Sequence, residues 1–360
     1  MSEAAVRTIL DNALAGQRLT SDDALRLLES EDLLAIGRAA QEVALRRHPE
    51  GAVTYIVDRN LNYSNVCSAV CTFCAFYRVR GHEEAYLLTR EEIYDKMDEL
   101  ASLGGRQVLM QGGLHPDLSL SFYEELLADL KARYPEVNLH AFSPPEIINF
   151  ADLEGISLRE VIRRLKAAGL GSIPGGGAEI LVEAVRRRIG RGKGSAAQWL
   201  EVMETAHEEG LRTTATMMFG HVETLADRIE HLEALRELQD RTGGFTAFIC
   251  WTFQPDNTPL GRKLNYRRTT SHEYLKTQAV GRLFLDNIDN VQTSWVTQGE
   301  KIGQLSLLFG ANDFGGTMME ENVVSAAGTY HYVSEERIRE LISELGFTPK
   351  RRTTFYELLE

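Results

Sequence analysis

Three of the chain's four cysteines, Cys67, Cys71 and Cys74, fall within NVCSAVCTFCAFY at the spacing C-x3-C-x2-C. Thiolates are soft donors that suit zinc and iron–sulfur clusters, and three in one short loop can converge on a single centre. Zinc closes a tetrahedron, and its sequence signature pairs two knuckles of the C-x2-C or H-x3-H kind. No second knuckle is present, so a structural zinc site would have to take His82 or Cys250 as its fourth ligand. A [4Fe–4S] cluster takes one cysteine per iron, and three leave one iron open to a small molecule. Cys250 competes for that place, although a lone cysteine in an apolar strand reads first as a small buried hydrophobe.

Such a loop needs a scaffold. The 360 residues are 43% apolar and 25% charged, a globular composition. A formal charge of −13 argues against a nucleic-acid partner, which needs a basic face, and points to a small-molecule ligand. No apolar run approaches the roughly 18 residues of a membrane span, and MSEAAVRTILDNALAG carries acids where a signal peptide needs bases. The expectation is a cytoplasmic protein with free thiols and no membrane partner.

Residues 1–50 read as helices, with Thr20 as an N-cap and LLAIGRAAQEVALRR at helical spacing. From Val53 onward short β-prone runs alternate with amphipathic helices. The predicted strands are 53–57, 107–111, 138–142, 171–174, 213–219, 246–251, 291–295 and 307–312. Thr89…Glu92, Ser121…Glu124, Ser157…Glu160 and Thr270…Glu273 fit the capping box. About eight βα units match the size of a TIM barrel. The expected fold is therefore α/β: a (β/α)8 TIM-type barrel over residues 51–328, an N-terminal helical segment over 1–50, and a C-terminal helix and tail over 329–360 packed on the barrel. A doubly wound sheet is the alternative. Barrel chemistry sits at the C-terminal ends of the strands, where Gln111-Gly112-Gly113, Ser143-Pro144-Pro145-Glu146, Gly175, Gly220-His221, Gln254 and Asn312-Asp313 fall.

C-x3-C-x2-C with the aromatic Phe73 just before its last cysteine resembles the signature of radical S-adenosylmethionine (SAM) enzymes. The likeness extends, in order, through LMQGGLHPDL, HAFSPPEI, SIPGGGAEIL, TTATMMFGHVET, TGGFTAFI and GANDFGGTMMEENVVSAAG. Together these resemble the cyclic dehypoxanthine futalosine synthases of the futalosine route to menaquinone, from about Tyr55 to Gly328. Aminofutalosine synthases and F0 synthases share several of the same segments. Cys250 departs from the pattern, in which proline precedes Trp-Thr-Phe-Gln-Pro.

The resemblance implies an oxidoreductase in which Cys67, Cys71 and Cys74 hold a [4Fe–4S] cluster whose open iron binds SAM. A deoxyadenosyl radical would take hydrogen from C4′ of the ribose of dehypoxanthine futalosine, and ring closure on the benzoate would follow. The implied cofactor contacts are Phe73, Gly112, Gly113, Ser143 and Glu179, with Gly112 and Gly113 near the methionine amino group. An electron donor such as flavodoxin or ferredoxin is the implied partner. Aminofutalosine synthase is one alternative, and a non-catalytic iron–sulfur or zinc protein another.

The remaining residues have plainer readings beside these. Glu179, at the start of AEILVEAVRRR, would stabilise a helix dipole, and Arg186-Arg187-Arg188 would complement its other end. His221 is a candidate substrate contact at a strand end, and His221 and Glu179 are the candidate bases for the final proton. Asp313 could accept from a polyol substrate, or serve a turn. Glycine-rich GRGKGS fails the Walker pattern, because glycine follows Lys193.

Overall fold

The computed structural model describes residues 3–264 and 268–359. Three helices, α1 (Glu3–Leu14), α2 (Ser21–Glu29) and α3 (Leu33–Arg47), precede the first strand. Thr20 caps α2 as expected, accepting from the Asp23 N–H at 3.1 Å.

The strands are β1 (Ala52–Ile56), β2 (Asp58–Leu61), β3 (Val70–Cys71), β4 (Gln107–Met110), β5 (Asn138–Ala141) and β6 (Ser172–Ile173). They continue with β7 (Gly190–Arg191), β8 (Arg212–Phe219), β9 (Phe245–Thr252), β10 (Asn290–Gln292), β11 (Asp313–Gly316) and β12 (Thr348–Arg351). The main sheet has ten strands, all pairing in parallel, in the order β12-β1-β11-β10-β9-β8-β6-β5-β4-β2. Only Val57 separates β1 from β2, so once the edge strand β12 is set aside the two ends of this order lie on one run of chain. That run pairs with β11 through β1 and with β4 through β2, and Arg59 bridges Met319 beyond β11. With β1 and β2 counted as one and β12 set aside, the ten strands reduce to a ring of eight. This is the expected TIM-type barrel, with helices in the crossovers.

Side chains alternate across each strand. Ile56, Asp58 and Asn60 face the interior, as do Gln107, Leu109 and Gln111 of the next strand. The outer faces bury large apolar groups against the helices: Phe248 of β9 is fully buried, as is Tyr274 of helix Ser271–Phe284.

Three expectations need correction. The last barrel strand is Asp313–Gly316, not 307–312, because the turn that closes helix Glu300–Ser306 occupies residues 307–310. The Ser121…Glu124 box does not form: Ser119 is the N-cap of helix Leu120–Arg133, and the Leu120 N–H donates instead to Glu154 Oε1 at 2.8 Å. Thr89 and Glu92 form the full box, whereas Ser157 and Thr270 supply only the cap half. Lastly, the C-terminal tail does more than pack on the barrel. After helix Glu335–Glu344, β12 joins the sheet beside β1, and the residues beyond it carry Arg352, Thr354 and Tyr356 to the barrel interior.

Candidate active site

The cysteine loop leaves the top of β2 and is tied down from several sides. The Cys67 N–H donates to Arg78 O at 2.9 Å, and the Ser68 N–H to Leu114 O at 2.9 Å. Cys71 pairs with Gly190 in the small β3–β7 ladder. The Thr72 N–H donates to Ile189 O at 2.8 Å, and the Leu260 N–H to Thr72 O at 2.7 Å. Gly113 lets the loop after β4 come this close: a Cβ there would lie 2.2 Å from Val66 O and 2.8 Å from Cys67 Cβ. The next residue, Leu114, donates its N–H to Cys67 Sγ at 3.3 Å.

Burial pushes all three thiols up, Cys71 to about 12. Opposing this, the Lys193 ammonium draws down Cys71 and Cys74, and backbone N–H groups draw down Cys67 and Cys74. Donor chemistry, rigid loop and glycine cradle therefore fit a cluster that takes three protein thiolates and displaces their protons. Among the described residues no three or more His, Cys, Asp or Glu side chains close around a point the size of one ion. His82 is exposed, with Nδ1 accepting the Glu84 N–H at 3.1 Å. Cys250 lies on β9 between Ile249 and Trp251, which face the interior, so its side chain points to the helix layer and is fully buried. It does not join the loop.

Glu179 does not open a helix: helix Glu183–Ile189 starts four residues later. Instead Glu179 occupies a turn at φ 43°, buried and paired with Lys193. The Lys193 ammonium lies 4.6 Å from the ring centroid of Phe73. Arg186 is no solvated charge either. It is buried and donates to Ala178 O at 2.6 Å and Gly194 O at 3.0 Å, tying together the two glycine-rich segments that carry Glu179 and Lys193.

Two cavities adjoin here. One of about 240 Å³ opens against Phe73, Cys74, Gly176, Gly177 and Glu179. The other, about 280 Å³, lies inside the ring with Asp58, Gln107, His140, Arg352 and Tyr356 in its wall. Gln111, Gly176, Trp251, Thr297, Val323 and Val324 line both. A larger groove of about 600 Å³ runs outside the barrel past Arg59, Glu99 and Glu320, and no residue of the cysteine loop lines it.

The other expected site residues are placed as follows. The Gly112 N–H donates to Glu146 Oε1 at 3.1 Å and the Gly113 N–H to Ser64 O at 3.0 Å, so both amides are committed. The Ser143 hydroxyl donates to Glu146 Oε2 at 2.7 Å. His221 lines neither cavity. Its Nε2 bonds Met218 O at 3.1 Å and its Nδ1 accepts the Val222 N–H at 2.8 Å, and burial holds the imidazole below its usual range. Asp313 stands behind the interior cavity, gripping Arg352.

Glu146 falls at the same strand end as Ser143 in the sequence, but its role there was not foreseen. Its carboxylate gathers Tyr63 OH at 2.7 Å, the Gly112 N–H, and both the amide and hydroxyl of Ser143, so it locks the loops after β4 and β5 together. Asp58 and Arg352 were also missed. For Asp58 a signal existed: in DRNLNY, polar residues recur at positions 58, 60 and 62, the period of one strand face.

A model of the Radical SAM superfamily matches residues 61–235, and one of the CofH/MqnC C-terminal region matches residues 242–360. The chain is 47% identical to a cyclic dehypoxanthine futalosine synthase of Halalkalibacterium halodurans, covering 98% of this chain and 94% of that one. It is 44% identical to the protein of the same name in Streptomyces coelicolor, covering 99% and 90%. It is also 40% identical to a 5-amino-6-(D-ribitylamino)uracil–L-tyrosine 4-hydroxyphenyl transferase of Methanopyrus kandleri, covering 99% and 97%. The fold matches the FeFe-hydrogenase maturase HydG from Carboxydothermus hydrogenoformans with a TM-score of 0.76 at 17% identity, over 98% of this chain and 80% of that one. The chain belongs to the radical SAM superfamily, within the group that carries the CofH/MqnC C-terminal region.

Proposed function

We propose that this radical SAM enzyme converts dehypoxanthine futalosine to cyclic dehypoxanthine futalosine on the futalosine route to menaquinone. The observation that carries the reading is the pair of relatives bearing that activity in their names and matching nearly the whole chain. An interior cavity sharing its wall with the cavity at the cysteine loop supports it, because a substrate there would lie next to the cofactor.

Cys67, Cys71 and Cys74 would hold the [4Fe–4S] cluster. Bound together, the cluster and SAM supply a 5′-deoxyadenosyl radical able to take a hydrogen atom from the ribose. The chain supplies position and exclusion of water. With their N–H groups committed, Gly112 and Gly113 offer carbonyls, the polarity an ammonium needs. Phe73 offers an apolar face for the adenine, and Glu179, held by Lys193, an acceptor for ribose hydroxyls. Glu146 keeps Ser143 and Gly112 in register. The electron would come from a donor such as flavodoxin or ferredoxin. No described helix is long and apolar enough to cross a membrane, in keeping with a cytoplasmic enzyme.

The test is anaerobic reconstitution with iron and sulfide, followed by dithionite, SAM and each candidate substrate, with products identified by mass. Cyclic product from dehypoxanthine futalosine is expected. Turnover of the ribitylaminouracil with tyrosine, or of an enolpyruvyl benzoate, with dehypoxanthine futalosine untouched, would move the assignment to the transferases or the aminofutalosine synthases.

A further inference from the structure

Five titratable side chains line the interior cavity: Asp58, His140, Glu321, Arg352 and Tyr356. Four are committed. The Arg352 guanidinium grips Asp313, with one contact at 2.9 Å, and lies 4.0 Å from the Tyr356 ring centroid. Burial pushes the Tyr356 hydroxyl far above the range in which it would ionise. Glu321 accepts from the amides of Val323, Val324 and Ser325 at 2.8 to 3.0 Å, capping its own loop. His140 bonds Ser172 Oγ at 2.7 Å, and burial beside Arg352 holds it neutral, its pKa lowered to about 3.

Asp58 differs. Its Oδ1 accepts the Met318 N–H at 2.8 Å and its Oδ2 accepts Gln107 Nε2 at 3.1 Å, one donor to each oxygen. A carboxylate has about four acceptor sites, so each oxygen keeps one for the cavity. The position is fixed from three strands: β2 carries the residue, β4 supplies Gln107, and the chain leaving β11 supplies the amide.

We propose that Asp58 is the proton acceptor of the interior cavity, receiving the benzoate ring proton shed as the cyclised ring regains aromaticity. This rests on the functional reading above. In the conversion a bond forms between ribose C4′ and a ring carbon. The C4′ hydrogen leaves as an atom and ends on 5′-deoxyadenosine. The ring C–H breaks, its proton passes to Asp58, and the surplus electron passes to an iron–sulfur acceptor. The SAM sulfonium, cleaved to methionine, is the net two-electron oxidant. Around Asp58, burial and Asp313 favour the protonated form, while the Met318 N–H, Arg352 and Gln107 favour the carboxylate, and the balance lies at about 6. The group is thus ionised at neutral pH and close enough to it to shed the proton again.

The experiment compares the reconstituted holoenzyme with Asp58→Asn and Asp58→Glu. Iron content and binding of dehypoxanthine futalosine, read by quenching of Trp251 and Trp295, should stay within about twofold of wild type. In Asp58→Asn, 5′-deoxyadenosine should still form while cyclic product falls by about 10²-fold or more, and Asp58→Glu should recover part of it. The infrared difference spectrum across pH 6 should contain a buried carboxyl band absent from Asp58→Asn. Cyclic product within about threefold of wild type in Asp58→Asn overturns the role and leaves the functional reading intact. Loss of iron or of substrate binding in both variants makes Asp58 structural and also overturns it. A wild type that forms 5′-deoxyadenosine but leaves dehypoxanthine futalosine untouched overturns the functional reading, and Asp58's role with it.

Discussion

Lys193 and Glu179 form an ion pair in which each side chain is only 7% exposed, with the ammonium 4.6 Å from the Phe73 ring centroid and the pair beside the cysteine loop. Two charges out of water hold only as a pair. Removing one leaves the other buried and unsatisfied, at about 3–5 kcal/mol. Lys193→Met should therefore lower unfolding stability by that amount, whereas Lys193→Met with Glu179→Gln should recover most of it. Urea midpoints of the two singles and the double measure the coupling. Additive losses would mean that the two groups do not depend on each other.

Gly113→Ala tests the cradle beneath the first cysteine. Its new Cβ meets backbone at 2.2 Å, Val66 O, rather than the yielding end of a side chain, so the cysteine loop must shift. Overpacking of this kind costs about 1–3 kcal/mol. The barrel should survive while Cys67 loses its place. The expected result is a folded protein, by circular dichroism, with less than about half the iron and sulfide per chain of the wild type. Full loading would show that the loop adapts.

Cys250 separates ligation from packing. Its thiol is fully buried and pushed up to about 12 by desolvation, with Arg228 drawing slightly the other way. Cys250→Ala should keep the iron content of wild type and cost about 1–2 kcal/mol of stability from the small cavity left behind. Cys67→Ala, Cys71→Ala and Cys74→Ala should each abolish loading. Loss of iron in Cys250→Ala would return the fourth thiol to the site.

Barrel and cysteine loop were legible in the sequence because both are local signals. The alternating runs and the capping residues lie within windows of a few residues, and so does C-x3-C-x2-C. What surrounds the loop was less legible, because it depends on contacts between distant segments. Lys193 sits in GRGKGS, a stretch whose local pattern points only to a failed phosphate loop, and its partner Glu179 follows another glycine run. Arg352 lies in the C-terminal tail and reaches Asp313 only because β12 inserts beside β1. His221 shows the reverse case. Its position at a strand end suggested chemistry, yet the turn folds back so that the ring bonds Met218 O and the Val222 N–H.

Asp58 also makes a prediction about stability. Its carboxyl is raised from 3.8 in the unfolded chain to about 6 in the fold. The folded state therefore holds the proton more tightly than the unfolded chain does. That contribution is full below pH 4 and is lost as pH rises through 6. A shift of about two units corresponds to about 3 kcal/mol. Asp58→Asn lacks the titration, and whatever constant penalty the amide adds by facing one of the two donors is the same at every pH. The stability of wild type relative to Asp58→Asn should therefore fall by about 3 kcal/mol between pH 4 and pH 7, read from urea midpoints at several pH values. Parallel curves for the two proteins would mean that water reaches the carboxylate in the folded state, and with it that the cavity floor is not the dry surface on which a raised carboxyl depends.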